Sequence, residues 1–400
     1  MTRAPHLTSR LQGFGTTIFA EMSALAQATG AVNLGQGFPD SSGPPEVLET
    51  ARRAVGTAHD QYPPGPGLPE LRAAVARHHR RFSGLDFDPD GEVLVTAGAT
   101  EAITAALLAL LEPGDEVVLL EPMYDSYAAA VAMAGGTVRA VPLRAPAPAA
   151  GEVTRGRWTF DPAELRRAVT PRTRLLLLNS PHNPTGAVLD DAELAELAAV
   201  ATHAGLLVLT DEVYEHLVFD GARHRSIATL PGMRERTLVV SSAGKTFSVT
   251  GWKIGWVCGP APLVSAVRTA KQFLTFVNGG PFQPAVAVGL DLPDAFFAEL
   301  AADLQRRRDV LVEGLHAAGL PVVVPQATYF ATVDVRPVRA DGDGVAFCRE
   351  LPHRAGVVGI PVGPFYDPAD AHLGRHLVRF AFCKRDEVLA EAVERLRRAG

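Results

Sequence analysis

Apolar runs and amphipathic stretches alternate along the middle of the chain. The apolar runs predict strands at residues 92–96, 116–120, 137–141, 174–179, 206–210 and 237–241. The amphipathic stretches predict helices at residues 100–111, 124–134, 162–169, 191–203, 262–276 and 294–317. Such alternation is typical of an α/β protein with a mostly parallel sheet covered by helices. The run at 206–210 is apolar on both faces, which predicts a central strand.

The two ends of the chain follow a different pattern. An amphipathic stretch at residues 10–28 precedes helices predicted at 45–55 and 69–80. In the last part, short strands predicted at 321–324, 329–335, 356–360 and 376–382 are mixed with helices at 344–353 and 386–398, as in an α+β domain with an antiparallel sheet. Residues 144–157, rich in Ala and Pro, are predicted to form an exposed connecting loop.

The length of the chain predicts more than one domain. Its 400 residues exceed the usual size of a single hydrophobic core. We expect an N-terminal arm with part of a small domain at residues 1–44, a large domain at 45–288, and a small C-terminal domain at 289–400.

Charge and cysteine content exclude several classes of function. The net charge of −6 is spread along the chain without basic blocks, which argues against nucleic acid or an anionic membrane as a partner. The first thirty residues lack the apolar core of a signal peptide, so a cytoplasmic protein is expected. Cys258, Cys348 and Cys383 are widely spaced without a metal-ligand pattern, and we predict reduced thiols and no metal site.

Two lysines lie eight residues apart behind the strand predicted at 237–241. The chain has 38 Lys and Arg residues, and lysine occurs only at Lys245, Lys253, Lys271 and Lys384. Unlike arginine, a lysine amine loses its proton when desolvated and condenses with a carbonyl to form an imine. Lys245 is therefore either a surface lysine with a buried stem or the anchor of a carbonyl cofactor such as pyridoxal phosphate (PLP).

Two charged residues are predicted at or within apolar strands. Asp211 follows the central strand, at the carboxyl end where open α/β sheets place their ligand sites. Arg379 lies between apolar neighbours on the strand predicted at 376–382. A buried arginine needs an anion, which is either an internal acid or a substrate carboxylate that matches its planar fork.

Three predicted turns offer further candidates. The small-residue turn at 97–101 either presents free N–H groups to a phosphate or is simply capped by Thr100. Gly35 and Gly37 permit either a tight turn or a close approach of the backbone to a ligand. Tyr62, on the rigid loop at 61–67, is either a surface aromatic residue or a positioned hydroxyl.

Together these motifs resemble the fold-type-I PLP-dependent aminotransferases, within the group of kynurenine/glutamine, methionine and N-succinyldiaminopimelate aminotransferases. The resemblance runs from about residue 17 to about 397 and is carried by the motifs at 33–40, 61–67, 181–186, 211–214, 242–247 and 251–256. It implies a large PLP-binding domain with a smaller α+β domain. It also implies a homodimer with shared active sites, acting on small amino and 2-oxo acids.

The resemblance also implies a role for each matching residue in holding PLP. Lys245 would form a Schiff base with the cofactor, Asp211 would pair with the pyridine nitrogen, and Tyr124 would stack on the ring. Tyr214 and Asn183 would hydrogen-bond the phenolic oxygen. The residues implied for the phosphate are Gly98, Ala99, Thr100, Ser242, Lys253 and, from the neighbouring subunit, Tyr62.

On the substrate side, the resemblance implies that Arg379 clamps the α-carboxylate, with the Gly37 backbone and Asn183 beside it. The catalytic residues would be Lys245, Asp211 and Tyr214. The implied reaction is a ping-pong transfer of an amino group from an L-amino acid to a 2-oxo acid, with 2-oxoglutarate expected.

Within the group, residues 125–127 and 181–184 favour an N-succinyldiaminopimelate aminotransferase of lysine biosynthesis. The alternative is a kynurenine, glutamine or methionine aminotransferase with cysteine-conjugate β-lyase side activity. A dinucleotide-dependent oxidoreductase explains neither Lys245 nor Asp211. A non-catalytic PLP-binding regulator would usually carry a basic DNA-binding segment, and none precedes residue 30.

Overall fold

A computed structural model of the protein describes residues 6–146 and 153–399. Its strands are β1 (Val32–Asn33), β2 (Val93–Thr96), β3 (Glu116–Glu121), β4 (Thr137–Pro142), β5 (Thr173–Asn179), β6 (Leu207–Asp211), β7 (Thr237–Ser242), β8 (Gly255–Cys258), β9 (Val322–Val323), β10 (Phe330–Asp334), β11 (Val357–Val358), β12 (Ile360–Pro361) and β13 (Leu377–Ala381). Its α-helices are α1 (Ile18–Thr29), α2 (Pro45–Ala54), α3 (Pro69–Ser83), α4 (Gly98–Leu110), α5 (Asp125–Met133), α6 (Pro162–Ala168), α7 (Asp191–His203), α8 (Ala243–Thr246), α9 (Ala261–Lys271), α10 (Gln283–Leu290), α11 (Asp294–Ala317), α12 (Gly344–Ala355), α13 (Ala371–Gly374) and α14 (Asp386–Ala399).

The largest sheet has seven strands in the order β2-β8-β7-β6-β5-β3-β4. All neighbouring pairs are parallel except those of β8, which is antiparallel to β2 and β7. The expected mostly parallel α/β sheet is confirmed. Strand β6 is in the middle of this order, and its residues alternate between two cores, Leu209 on one face and Val208 on the other.

Local sequence signals explain how the chain turns from α7 into β6, the central strand of the large sheet. Helix α7 begins with a capping box, in which the Asp190 carboxylate accepts from the Glu193 N–H at 2.8 Å and Glu193 accepts from the Asp190 N–H at 3.1 Å. Gly205, with a φ of +66°, reverses the chain after the helix. The apolar run that follows then enters the sheet beside β5.

The two smaller sheets join the beginning of the chain to its end. Strands β12-β13-β10-β9 form an antiparallel four-stranded sheet, as expected for an α+β region. Strand β1 pairs in parallel with β11, with Val32 opposite Val357. The division into domains at residues 44/45 and 288/289 stays a prediction.

Several local predictions were wrong. Strand β8 and helix α10 were not predicted, and the helix expected at 262–276 ends at Lys271. Helix α4 begins at Gly98 with Ala97 as its N-cap, so Thr100 lies inside the first turn and does not cap the helix.

The connecting loop predicted at residues 144–157 forms two isolated β-bridges through its described ends. Its residues 147–152 lie outside the described part of the chain. On either side, Arg144 forms a β-bridge with Thr159 and Thr154 forms one with Val323. In the described residues, no helix combines the length and the apolar character that a membrane span requires.

Candidate active site

A cavity of about 810 Å³ opens at the carboxyl ends of the central parallel strands, where Asp211 ends β6 and Ser242 ends β7. Other parts of its wall come from the segment before α1 and from the four-stranded sheet. The predicted site residues in this wall are Gly37, Gly98, Ala99, Thr100, Tyr124, Asn183, Asp211, Tyr214, Ser242, Lys245, Lys253 and Arg379. The fold thus gathers residues from distant parts of the sequence at one place.

Lys245 projects into the cavity from the short helix α8. Its Nζ lies 3.5 Å from the Gly37 carbonyl oxygen and 5.9 Å from the ring centroids of both Tyr214 and Tyr329. Burial lowers the pKa of the Lys245 amine below its ordinary value, although the nearby Asp211 acts in the opposite direction. A lowered pKa increases the fraction of neutral amine, which is the form that attacks a carbonyl.

Asp211 is a buried carboxyl group held by two hydrogen bonds. Oδ1 accepts from the Val213 N–H at 3.3 Å, and Oδ2 accepts from the Tyr127 hydroxyl at 2.7 Å. Burial raises the pKa of Asp211 to about 6, while Tyr127, Val213 and Lys245 lower it. Because a carboxylate offers about four acceptor positions, this group retains capacity for a further donor from the cavity.

Arg379 has no acidic partner among the described residues. Its Nη1 donates to the Asn183 Oδ1 at 2.9 Å and its Nη2 to the Gly35 carbonyl at 2.9 Å, while its Nε has no hydrogen-bond partner there. The side chain is 1% exposed, and burial lowers its pKa to about 10. The sequence left two candidates for the partner of Arg379, an internal acid or a substrate carboxylate. Because a buried guanidinium without a counter-ion is costly, the structure favours the substrate carboxylate.

Gly37 is needed where it stands because the backbone passes close to an aromatic ring. A Cβ at this position would lie 2.5 Å from Cζ of Phe330. The Gly37 carbonyl also accepts from the Tyr329 hydroxyl at 2.6 Å. The close approach of the backbone, rather than a turn alone, therefore accounts for this glycine.

The first turn of α4 and the side chain of Lys253 form an anion cradle. Gly98 has a φ of +76°, and a Cβ placed on it would lie 3.2 Å from the Lys253 Nζ. The first N–H groups of a helix have no intrahelical acceptor, and the helix dipole favours an anion there. Together with the hydroxyls of Thr100 and Ser242, this corner of the cavity suits a phosphate.

The aromatic residues expected around the ring also line the cavity. Tyr124 immediately precedes α5 and meets the Tyr127 ring edge-on, with centroids 5.7 Å apart. Burial raises the pKa of Tyr124 to about 12 and that of Tyr214 still further. Both hydroxyls therefore remain protonated near neutrality and can donate hydrogen bonds.

Tyr127 is a site residue that the sequence reasoning missed. It lies within the motif at 125–127, where no role was assigned to it. Its position three residues after Tyr124 was the available signal, since helix positions i and i+3 share a face. In the structure Tyr124 immediately precedes α5 and Tyr127 lies in its first turn, and both residues line the cavity.

Tyr62 is the exception among the predicted site residues. It is 82% exposed and lies outside the cavity wall formed by its own chain. Its ring contacts Phe276 edge-on, with centroids 5.5 Å apart. A role for its hydroxyl in the site of the same chain is therefore not supported.

A group with metal-ligand character lies outside the cavity wall. Ligand atoms of His78, Glu215 and His216 lie within 4.8 Å of one another. The two histidine Nε2 atoms are 2.8 Å apart, the distance of a hydrogen bond between one protonated and one unprotonated nitrogen. This hydrogen bond accounts for the cluster without an ion, and the absence of a metal site stays a prediction.

The cavity therefore has the parts that PLP chemistry requires: an amine with a lowered pKa, a buried carboxyl group, and an anion cradle. Comparison with known proteins identifies the family, because the sequence model of aminotransferase class I and II matches residues 29–396. The chain belongs to this aminotransferase family. It is a PLP-dependent enzyme with the fold of the type I aminotransferases.

The relatives of this aminotransferase cover almost its whole length. A probable N-succinyldiaminopimelate aminotransferase of Mycobacterium tuberculosis is 55% identical, with 97% of each chain aligned. The methionine aminotransferase of Escherichia coli is 40% identical, with 99% of this chain and 100% of the relative aligned. The solved structure of N-succinyldiaminopimelate aminotransferase from M. tuberculosis superposes with a TM-score of 0.94 at 56% identity, covering 98% of this chain and 100% of that one.

Proposed function

We propose that this enzyme is an N-succinyldiaminopimelate aminotransferase that uses 2-oxoglutarate as acceptor and acts in lysine biosynthesis. The observation that carries the proposal is the 55% identity to the mycobacterial relative of that name over 97% of both chains. Arg379, which is buried and has no acidic partner in the described part of the chain, agrees with it, since both substrates bear an α-carboxylate. The cytoplasmic location expected from the sequence stays a prediction.

When bound, PLP supplies a carbonyl carbon that accepts the amino group and a conjugated ring that accepts the electrons of the substrate Cα–H bond. Lys245 is the proposed site of covalent attachment and, once released, the base that removes the proton from Cα. Its low-polarity surroundings lower the pKa of its amine, which favours that role. Asp211 would pair with the ring nitrogen and keep a proton on it, and Tyr214 would donate to the phenolic oxygen.

Arg379 and Asn183 form the proposed clamp for the substrate carboxylate. Asn183 lines the cavity, and since its Oδ1 already accepts from Arg379, its amide N–H groups are the part of the side chain that can donate to a ligand. A planar guanidinium binds a carboxylate in two places and fixes its direction. With the carboxylate fixed, the clamp would also set the direction of the substrate Cα–H bond, which would favour deprotonation over decarboxylation.

The phosphate is assigned to the cradle of Gly98, Ala99 and Thr100, with Ser242 and Lys253. We further propose a homodimer in which Tyr62 of one subunit reaches the phosphate of the other. The support is an exposed pair of aromatic rings, since Tyr62 is 82% exposed and the Phe276 ring that it contacts is 52% exposed. Exposed apolar patches are typical of protein–protein contacts.

A methionine or kynurenine aminotransferase is the second candidate, and one observation favours it. The Arg379 guanidinium carbon lies 3.9 Å from the Phe330 ring centroid, 5.2 Å from that of Phe19 and 5.5 Å from that of Phe365. An apolar side chain next to the clamped carboxylate would meet these rings. For a second carboxylate, the described wall offers no basic residue beyond Lys245, Lys253 and Arg379, so the hydroxyls of the wall would have to bind it.

The test is a comparison of amino donors with 2-oxoglutarate as acceptor. N-succinyldiaminopimelate, methionine, kynurenine and glutamine are compared by kcat/KM, with the Lys245→Ala variant as the catalytic blank. We expect N-succinyldiaminopimelate to exceed the others by at least about tenfold, because polar groups built to receive a ligand discriminate strongly against ligands that leave them unpaired. An equal or higher value for methionine or kynurenine would reject the first proposal in favour of the second.

A further inference from the structure

Tyr127 makes a buried contact with the carboxyl group at the centre of the site. Its hydroxyl donates to the Asp211 Oδ2 at 2.7 Å, and its side chain is 3% exposed. Tyr127 is on the first turn of α5, whereas Asp211 ends β6, so the hydrogen bond joins two separate elements. The Val213 N–H holds the other oxygen, Oδ1, at 3.3 Å.

The surroundings of Asp211 act in opposite directions on its charge. Burial raises its pKa to about 6, and the carboxyl group of Glu212 raises it as well. Tyr127, the Val213 N–H and Lys245 lower it. Burial and the neighbouring Asp211 hold the pKa of Tyr127 itself well above 10, so its hydroxyl remains a donor at every working pH.

We propose that Tyr127 is a positioning residue that keeps Asp211 ionised and directs its carboxylate toward the pyridine nitrogen of PLP. A carboxylate that accepts a hydrogen bond from a neutral donor is stabilised as the anion. The fixed donor also restricts rotation of the carboxylate, so that its remaining lone pairs face the cavity. This inference rests on the role proposed above for Asp211.

A purely structural role for Tyr127 would produce different effects. Its ring packs edge-on against Tyr124, and that contact would survive replacement by phenylalanine. If packing were its whole contribution, Tyr127→Phe would leave cofactor binding unchanged, and Tyr127→Leu would weaken the binding of every cofactor analogue alike. If the hydrogen bond to Asp211 is the contribution of Tyr127, Tyr127→Phe already weakens PLP binding.

The experiment compares two ligands that differ at one ring atom. Dissociation constants are measured for PLP and for its carbocyclic analogue, in which C–H replaces the pyridine nitrogen, on the apo forms of the wild type, Tyr127→Phe and Tyr127→Leu. We expect Tyr127→Phe to weaken PLP binding by about 10- to 100-fold, the usual effect of losing a hydrogen bond to a charged group. Binding of the analogue should change by less than about twofold, because it makes no pairing with Asp211.

Two results would overturn the inference. No loss for either ligand in Tyr127→Phe would assign Tyr127 to packing, and equal losses for both ligands would show that its hydroxyl does not act through the pairing of Asp211 with the ring nitrogen. The Tyr127→Leu variant should lose at least as much of the preference for PLP over the analogue as Tyr127→Phe does, even if it is less stable. Tyr366→Phe, which removes another buried tyrosine hydroxyl outside the cavity wall, is the matched control and should bind both ligands as the wild type does.

Failure of this inference is distinguishable from failure of the proposed function. Asp211→Asn should abolish most of the preference for PLP over the analogue if Asp211 pairs with the ring nitrogen. If Asp211→Asn leaves that preference intact, the role of Asp211 is wrong and the role of Tyr127 falls with it. If Asp211→Asn removes the preference and Tyr127→Phe does not, only the role of Tyr127 is wrong.

Discussion

The Arg379 Nη1 donates to the Asn183 Oδ1 at 2.9 Å, across the gap between the four-stranded sheet and the loop that follows β5. This hydrogen bond joins a strand from near the end of the chain to the wall of the proposed cofactor site. It holds the guanidinium in place without neutralising its charge. The pair is therefore prepared for an anion before any substrate arrives, which reduces the cost of ordering the clamp on binding.

The first prediction concerns that clamp. Replacement of Arg379 by alanine should raise the KM for the amino donor by about 100-fold or more, because two charged hydrogen bonds to the carboxylate are lost. The dissociation constant for PLP should change by much less. Steady-state kinetics with a titration of the apo-enzyme checks both quantities.

Arg379→Lys is the matched variant for this test. It retains the positive charge but loses the planar fork, so it should recover only part of the affinity. Equal losses of substrate affinity and PLP affinity in Arg379→Ala would move Arg379 out of the substrate site.

The second prediction concerns the cofactor lysine. Lys245→Ala should abolish activity and the visible absorption of covalently bound PLP. The only other lysine in the described cavity wall is Lys253, which is assigned to the phosphate and therefore should not replace Lys245. Absorption spectra of the purified proteins check this. Lys271→Met is the control, since the Lys271 Nζ donates to the Phe276 carbonyl at 2.9 Å and lies outside the cavity wall. This variant should retain the visible absorption of bound PLP. An unchanged spectrum in Lys245→Ala would refute the anchor.

The third prediction tests the shared active site by mixing two inactive variants. If Tyr62 serves the neighbouring subunit, a hybrid dimer of Tyr62→Ala and Lys245→Ala subunits contains one site with both residues intact. Random pairing makes half of the dimers hybrid, so an equal mixture should reach about a quarter of the wild-type activity after exchange of subunits, if Tyr62→Ala alone has little activity.

Arg379→Ala with Lys245→Ala is the matched control for the mixing test. Both residues line the cavity of the same chain, so no hybrid site is complete and activity should not return. Recovery in this control, or no recovery with Tyr62→Ala, would contradict the proposed exchange of residues between subunits.

The fourth prediction concerns acid stability. Burial lowers the pKa of His79 from 6.5 to about 3, so between these values the unfolded chain binds one more proton than the folded protein does. Stability due to this group is therefore complete above pH 6.5 and is lost as the pH falls, by about 1.4 kcal/mol per pH unit. In the apo-protein, His79→Leu should therefore reduce the slope of the unfolding free energy against pH by about 1.4 kcal/mol per pH unit below pH 6.5.

Chemical denaturation at several pH values checks the histidine prediction. The apo-protein is used because bound cofactor adds its own pH-dependent stabilisation. His353→Gln, on the exposed side of α12, is the control and should leave the slope unchanged. An unaltered slope in His79→Leu would show that the buried ring does not resist protonation.

The sequence was sufficient for features that depend on repeated local patterns. The alternation of apolar runs predicted the parallel sheet, and a both-faced apolar run predicted that β6 lies at its centre. Charged residues at strand ends, such as Asp211, were predictable because burial there makes a charge expensive unless it has a use. The roles of the remaining residues stay predictions that rest on the family resemblance.

Other features depend on contacts that no local pattern records. Strand β8 has four residues, which are too few to show a periodicity. Its position between β2 and β7 depends on contacts between strands that are distant in the sequence. Thr100 looked like an N-cap by residue type, yet α4 begins earlier, at Gly98, with Ala97 as its N-cap. The hydrogen bond from Tyr127 to Asp211 joins residues 84 positions apart and appears only once the fold is assembled.

The pairing of β1 with β11, together with the hydrogen bond from Arg379 to the Gly35 carbonyl 344 positions earlier, bears on how the enzyme is made. Every residue proposed to hold the cofactor lies at or before Lys253 in the sequence. The carboxylate clamp, in contrast, needs residues from near both ends of the polypeptide. A chain released early by the ribosome would retain the cofactor lysine but would lack the means to hold an amino acid. Loss of β13 would therefore remove the carboxylate clamp while every residue proposed to hold the cofactor would still be present in the sequence.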